Sequence, residues 1–275
     1  MTTTPISDSW QRGSPYEQYV GRWSRKVAPP FLAWLQMPPA RRWLDVGCGT
    51  GALCAAIADT CSPSSVTGVE PSAGFLETAA ANLAGRAALV AGNASAIPVA
   101  DASVDIVVSG LVLNFIPDLR SALAEMRRVA AADGIVAAYV WDYAGRMELM
   151  RHFWDAAVEL DPDATPLDEG QRFPLCNPGA LTAAFSAAGL HDITTSTIDI
   201  TTVFSDFDDY WAPFLGGQGP APAYAMSLLP AARDRLRQRI RNRLPQRPDG
   251  SIPLVARAWS IRACNASRGP GSRSA

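Results

Sequence analysis

The chain reads as an α/β domain with a doubly wound sheet. Short apolar runs alternate with helix-period segments from residue 42 to 142, a glycine turn follows the first run, and the connections are brief. Short crossovers of right hand then demand parallel strands, with ligands held outside their carboxyl ends.

In chain order, the periodicity predicts helices over 16–25 and 29–36, then a strand over 42–46 and a helix over 52–59. A strand over 65–69 precedes a helix over 73–83, capped by Ser72. Strands follow at 87–91 and 104–109, then a helix over 118–130 capped by Asp118, then a strand at 134–141. Beyond Asp142 the alternation loosens. A helix over 148–160 leads into Asp161-Pro162-Asp163 and a proline-rich loop, read as a cap over a pocket. A helix over 178–188 ends at Gly189, a strand covers 193–203, and the last strand covers 252–261. The organisation expected is a helical lid over 1–40, a domain over 41–265 with cap insertions near 143–177 and 205–245, and a disordered tail over 266–275 rich in Ser, Arg and Gly.

The most informative segment is Trp43-Leu-Asp-Val-Gly-Cys-Gly-Thr-Gly51. A buried strand runs straight into a turn in which Gly47, Gly49 and Gly51 let the backbone bend and approach a ligand without a Cβ in the way. The helix that follows points its partly positive N-terminus at whatever binds. Gly47-x-Gly49-x-x-Ala52 also fits the looser dinucleotide fingerprint, so the glycines alone leave the ligand open. Asp45 tilts the choice: a pyrophosphate would set like charges face to face, whereas the ammonium and sulfonium of S-adenosylmethionine would find a partner there. Glu70, roughly 20 residues past the loop, stands where a ribose-binding carboxylate belongs. Asn93 and the Ala94 amide close the 87–91 strand and suit an adenine edge.

Composition narrows the alternatives. With 275 residues, 48% hydrophobic and 18% charged, the chain can bury one sizeable core. A net charge of −2 leaves no basic footprint for nucleic acid. The arginines at 233, 235, 237, 239, 241 and 243 alternate around one helix and read as a solvated face. Five scattered cysteines support neither a disulfide framework nor a metal site. No basic-then-apolar leader and no apolar run of membrane length is present, so cytoplasmic residence and no membrane partner are expected.

With these residues in place, the chain resembles class I S-adenosylmethionine-dependent methyltransferases, within the group of small-molecule enzymes sharing the D-V-G-C-G-T-G loop. The likeness extends through Gly68-Val-Glu-Pro-Ser72, the segment 97–105, Val107-Val-Ser-Gly-Leu-Val-Leu-Asn114 and Pro117-Asp118. It implies a Rossmann-like sheet of seven strands with the last one antiparallel. It implies S-adenosylmethionine as cofactor, held by Asp45, Gly47, Cys48, Gly49, Gly51, Glu70, Pro71, Ser72, Asn93, Ala94, Ser109 and Leu111. Relatives commonly carry Asp at the Asn93 position. Upstream, Tyr16-x-x-Tyr19-x-Gly21-Arg-Trp-Ser-Arg25 is similar to the cofactor-covering N-terminus of one bacterial-type subgroup, which adds Tyr19 and Arg25 to the cofactor set and Tyr16 and Trp23 to the substrate pocket.

The expected reaction is in-line methyl transfer to a small, partly apolar molecule, by a monomer or homodimer. A nicotinamide-dependent oxidoreductase and a cofactor-binding scaffold without turnover are the alternatives. Asn114, Trp141, Tyr143, Trp211 and Phe214 are candidate pocket residues, and His152 is the candidate base. An amide cannot take a proton, so Asn114 argues for orienting the acceptor.

Overall fold

The computed structural model describes residues 21–216 and 219–265. Tyr16, Tyr19, most of the expected lid and the expected disordered tail lie outside the described residues.

The first element, α1 (Arg22–Leu35), runs unbroken through Pro29 and Pro30, where the sequence suggested two helices. Proline costs the bond to the carbonyl four residues back. Both prolines are exposed, as are Arg25 and Lys26, whose carbonyls lose those bonds, so the helix passes over the defect on its wet side. Val27, Phe31 and Leu35 hold the opposite face in the core.

From there the alternation follows as read: β1 (Arg42–Val46), α2 (Ala52–Thr60), β2 (Ser65–Glu70), α3 (Ala73–Leu83), β3 (Ala88–Ala91), β4 (Val104–Gly110), α4 (Leu119–Val129) and β5 (Ala130–Trp141). Ser72 caps α3 through the Phe75 amide, and Asp118 caps α4 through the Ser121 amide. In α4 the buried residues Ala122, Leu123, Met126 and Val129 fall on one stripe. Strand β5 begins four residues earlier than its apolar pattern suggests. A bulge lets Val104 pair with Ala130 and Ile106 with Ile135, so the polar stretch around Asp133 is absorbed inside the strand.

The chain continues with α5 (Glu148–Leu160), α6 (Glu169–Arg172), α7 (Pro178–Ala187), β6 (Leu190–Phe204), α8 (Phe207–Trp211), α9 (Pro220–Ser227), α10 (Pro230–Arg241) and β7 (Ile252–Asn265). Gly189, at φ +76, ends the α7 region and turns the chain into β6. The seven strands lie in the order β3-β2-β1-β4-β5-β7-β6, with β1 to β5 parallel where paired, β7 antiparallel to β5, and helices on both faces. The central strand β1 is buried from Trp43 to Val46, as a parallel strand covered on both faces must be.

The chain divides into two compact units. The larger comprises Ser24–Val140, Leu175–Ile198 and residues 258–265, and carries the glycine loop. The smaller comprises residues 21–23, Trp141–Pro174 and Asp199–Arg257. Its centre is aromatic: Phe153 stacks on Phe214 at 4.5 Å, Tyr210 lies 5.3 Å from Phe204, and Trp154 packs against Phe153 and Tyr224. No helix among the described residues is long and apolar enough to cross a membrane.

Candidate active site

The turn after β1 is built by glycines in the left-handed region, at φ +75 for Gly47, +53 for Gly49 and +85 for Gly51. Two requirements coincide at Gly47, because a Cβ there would also meet Val112 Cγ1 at 2.6 Å. The Gly47 and Cys48 amides donate to the Val69 carbonyl at 2.8 and 3.1 Å, which hangs the loop on the end of β2. Gly49 differs from its neighbours: no atom lies within 4 Å of where its Cβ would be, so the loop presents bare backbone to open space. No side chain caps α2 at its start.

Glu70 closes this cradle. One carboxylate oxygen accepts from the Gly49 amide at 3.2 Å and the other from Ser72 at 3.0 Å. Burial raises its pKa, while those two amides pull it back toward the ionised form. Each oxygen keeps a lone pair for a ligand hydroxyl. Asp45 is buried more deeply, at 1% exposure. Its Oδ2 accepts from the Cys54 thiol at 3.3 Å, and its Oδ1 is buried with no partner. Loss of water lifts its pKa to about 7, opposed by the Cys54 hydrogen bond and reinforced by the charge of Glu70. A buried acid with an orphaned oxygen, beside an open glycine backbone, fits a ligand that brings positive charge and fits a pyrophosphate poorly.

Around this centre the sequence-predicted residues fall into different roles. Ser72 serves as helix cap while its amide holds Glu70. Cys48 is buried, with its sulfur 2.7 Å from where a Gly68 Cβ would stand, so Gly68 is the small residue that admits the loop. Pro71 is exposed. Asn93 is exposed, and its Oδ1 accepts from the Ser95 amide at 2.9 Å, leaving the NH2 group as its outward donor. Ala94 sits in the same turn, half-buried. The Ser109 hydroxyl is buried and donates to the Val46 carbonyl at 2.9 Å, a tie between β4 and β1. Leu111 takes φ +62, uncommon for a residue with a branched side chain, and its amide donates to Tyr139 at 2.8 Å. Asn114 follows in the 3-10 turn Leu113–Phe115, with both amide atoms buried and unpartnered.

The remaining predicted residues occupy varied surroundings. Trp23 is buried against Phe204 at 5.3 Å, and Arg22 lies over both rings while pairing with Asp209 at 2.8 Å. Trp23 is held by packing, and Arg22 spends Nη1 on a partner 187 residues away while its Nε and Nη2 are buried without one. Arg25 is exposed on α1. Phe214 is fully buried on Phe153, and Trp211 is buried and stacks on Phe207. Trp141 is buried at the end of β5, and Tyr143 packs against Phe173. His152 occupies the polar face of α5 and opens on a cleft of about 820 Å³ shared with Arg151, Asp155, Glu159 and Arg243. That cleft contains none of Trp141, Tyr143, Trp211 and Phe214. Burial lowers the His152 pKa. The arginine-rich helix is also more engaged than a solvated face: Arg237 pairs with Asp208, Arg239 and Arg243 pair with Glu159, and Arg237 and Arg241 sit over Phe207.

Sequence reasoning missed Cys54, whose thiol is the hydrogen-bond partner of Asp45, and Asn82, which donates to the Thr50 carbonyl at 2.9 Å and steadies the loop. Only the helical spacing of these residues was readable, and it says nothing of what they face. Gly68 left a signal, since glycine inside a strand marks close approach.

Fold and loop together are those of an α/β protein whose glycine turn, at the carboxyl end of β1, suits a nucleoside-type ligand. A family profile described as a methyltransferase domain matches residues 44–138. The chain is 32% identical over 174 residues to a demethylmenaquinone methyltransferase of Roseiflexus castenholzii, covering 57% of this chain and 71% of that protein. It is 41% identical over 139 residues to a malonyl-[acyl-carrier protein] O-methyltransferase of Geobacter sulfurreducens, covering 48% of this chain and about half, 51%, of that one. The structure of phosphoethanolamine N-methyltransferase 2 of Haemonchus contortus, in complex with S-adenosylhomocysteine, superposes with a TM-score of 0.56 at 16% identity, over 93% of this chain and 57% of that one. The chain belongs to the class I S-adenosylmethionine-dependent methyltransferases. Its cofactor is S-adenosylmethionine, and its activity is methyl transfer to a small molecule. The dinucleotide alternative left open by the glycine spacing is thereby closed.

Proposed function

We propose that this enzyme methylates a small, partly apolar acceptor, with the cofactor held by the glycine loop, Glu70 and Asp45. The observation carrying this reading is the bare Gly49 backbone flanked by Glu70 and a buried, half-satisfied Asp45. When bound, the cofactor supplies a methyl group on a sulfonium, which leaves as a neutral thioether when the acceptor's lone pair takes the methyl. The protein's contribution is placement and exclusion of water.

In this account Glu70 grips the ribose hydroxyls with the lone pairs its two amide bonds leave free. Asp45 sets negative potential under the methionine end, where a cation recovers part of the cost of burying it. The Asn93 NH2 and the Ala94 amide offer donors to the adenine, and Leu111 and Ser109 shape the wall at the end of β4. His152, the candidate base, shares a cleft with charged side chains and not with the aromatic residues near 141–143 and 211–214.

The test is calorimetric titration of S-adenosylhomocysteine into wild type and Glu70→Ala. Loss of charge-assisted bonds to two hydroxyls predicts affinity lower by about 10- to 100-fold. Equal affinity in the two proteins contradicts the ribose assignment.

A further inference from the structure

Asp45 is buried at 1% exposure, yet its carboxylate accepts a single hydrogen bond, from the Cys54 thiol to Oδ2 at 3.3 Å, while Oδ1 has no partner. Among the described residues no cation pairs with it, and Glu70, at the end of β2, adds a like charge. Its neighbours in register, Gly68 on β2 and Val108 on β4, bring no polar side chain, and Ser109 spends its hydroxyl on Val46. The ionised acid therefore depends on one protein donor, and a thiol is a weak one.

That donor is itself held in place. Cys54 is fully buried in the first turn of α2. It shares a hydrogen bond with the thiol of Cys48 in the glycine loop. The Cys48 sulfur in turn lies 2.7 Å from where a Cβ of Gly68 would stand, at the strand position paired with Asp45. Two sulfurs and one carboxylate thus form a chain from the loop to the strand beneath it. The bond with Cys48, burial and the charge of Asp45 hold the Cys54 thiol well above its ordinary pKa, so it keeps its proton and remains a donor.

We infer that Cys54 is a positioning residue whose thiol keeps the buried Asp45 ready for the cofactor's positive charge, and so sets the lowest pH at which S-adenosylmethionine binds well. This inference rests on the methyl-transfer reading of the same site and adds to it the residue that tunes cofactor affinity. The attraction acts through the field of the carboxylate and needs no direct contact with it. A cation favours only the ionised acid. Affinity is therefore full above the pH at which Asp45 of the free protein loses its proton, about 7, and falls as pH drops through it. Removing the thiol takes away the bond that favours the charged form, so the fall begins at higher pH. A hydroxyl in its place is a better donor and moves the fall the other way.

Two measurements on the full chain test this with Cys54→Ala and Cys54→Ser. Carbon NMR of aspartate-labelled, cofactor-free protein follows the Asp45 carboxyl directly, its signal identified by loss in Asp45→Asn. It titrates at about 7 in wild type, about one pH unit higher in Cys54→Ala and no higher than wild type in Cys54→Ser. Calorimetric titration with S-adenosylmethionine then gives affinity between pH 6 and 8, where the ligand's ammonium stays charged. With Asp45 ionised in the complex, Cys54→Ala binds about eightfold more weakly than wild type at pH 6.5 and about twofold more weakly at pH 8. Cys54→Ser restores the wild-type profile. Glu70 is common to the three proteins, so its own titration cancels in these ratios. A deficit in Cys54→Ala that is equal at every pH shows a packing role alone and overturns the inference, as does an Asp45 titration that the substitution leaves unmoved. Absence of S-adenosylmethionine binding by wild type at any pH, with the NMR shift present, overturns the cofactor reading and with it the link from Cys54 to binding.

Discussion

The unit that carries the glycine loop and the unit that carries the aromatic core differ in which polar groups they pair. Around the loop, buried groups are left short of partners: Asp45 keeps one bare oxygen, Asn114 has none of its bonds, and Leu111 sits in a backbone region that side chains avoid. In the smaller unit several long cations are paired, although Arg22 and Arg233 keep buried nitrogens without a partner and Glu169 and Thr202 a buried oxygen. Arg151 forms two 2.8 Å bonds to Asp168 and reaches Asp155, Arg237 meets Asp208, and Glu159 gathers Arg239 and Arg243. Unmet polarity thus occurs in both units, and beside the glycine loop it falls on an acid that a cationic ligand can satisfy.

That contrast can be broken by moving a defect from one unit to the other. Gly47→Ala should have the largest effect on binding, because φ +75 and the 2.6 Å approach of Val112 act together. The combined cost of about 3 kcal/mol predicts roughly hundredfold weaker S-adenosylhomocysteine binding by calorimetry. Arg151→Met should leave that affinity unchanged and destabilise the protein by about 3 kcal/mol in urea, since it strands Asp168 without its bidentate partner. If Arg151→Met weakens the cofactor as much as Gly47→Ala does, the separation of roles is wrong.

The smallest expected effect sharpens the comparison, because Glu169 is a buried acid of the smaller unit left short of a partner, as Asp45 is in the larger. Its carboxyl is buried, accepts from Trp154 Nε1 and keeps one oxygen without a partner, and burial pushes its pKa up to about 8. A raised pKa means that the folded state prefers the proton, so its stabilising contribution is full below the unfolded value and is lost as pH rises through about 8. Glu169→Gln, which stays neutral and keeps an acceptor for Trp154, should match wild type at pH 5 and exceed it by about 1 kcal/mol at pH 9. Parallel Tm profiles across that range would refute the shift.

How much of this was legible before the structure depends on how local the cause is. The strands around Asp45 and Glu70, the glycine turn and the caps at Ser72 and Asp118 are written in neighbouring residues, and the fold carries them where the sequence put them. Helix α1 was misread as two because Pro29 and Pro30 break a helix only when the lost bonds are dry. An aromatic side chain does not announce which neighbours it will meet, and Trp23, Trp211 and Phe214 each pack against other rings. The Arg22–Asp209 pair and the Cys54–Asp45 contact join residues whose proximity is a product of folding. The unpartnered state of Asn114 belongs to the same class: its identity is in the sequence, its burial is not.

The charge of the ligand is the point on which the account turns, since a buried Asp45 beside Glu70 welcomes a cation and repels a phosphate. Calorimetric titration of the wild-type protein with S-adenosylmethionine and, separately, with NAD+ measures this directly. The account predicts saturable binding of S-adenosylmethionine and none of NAD+; uptake of NAD+ with indifference to S-adenosylmethionine would contradict it.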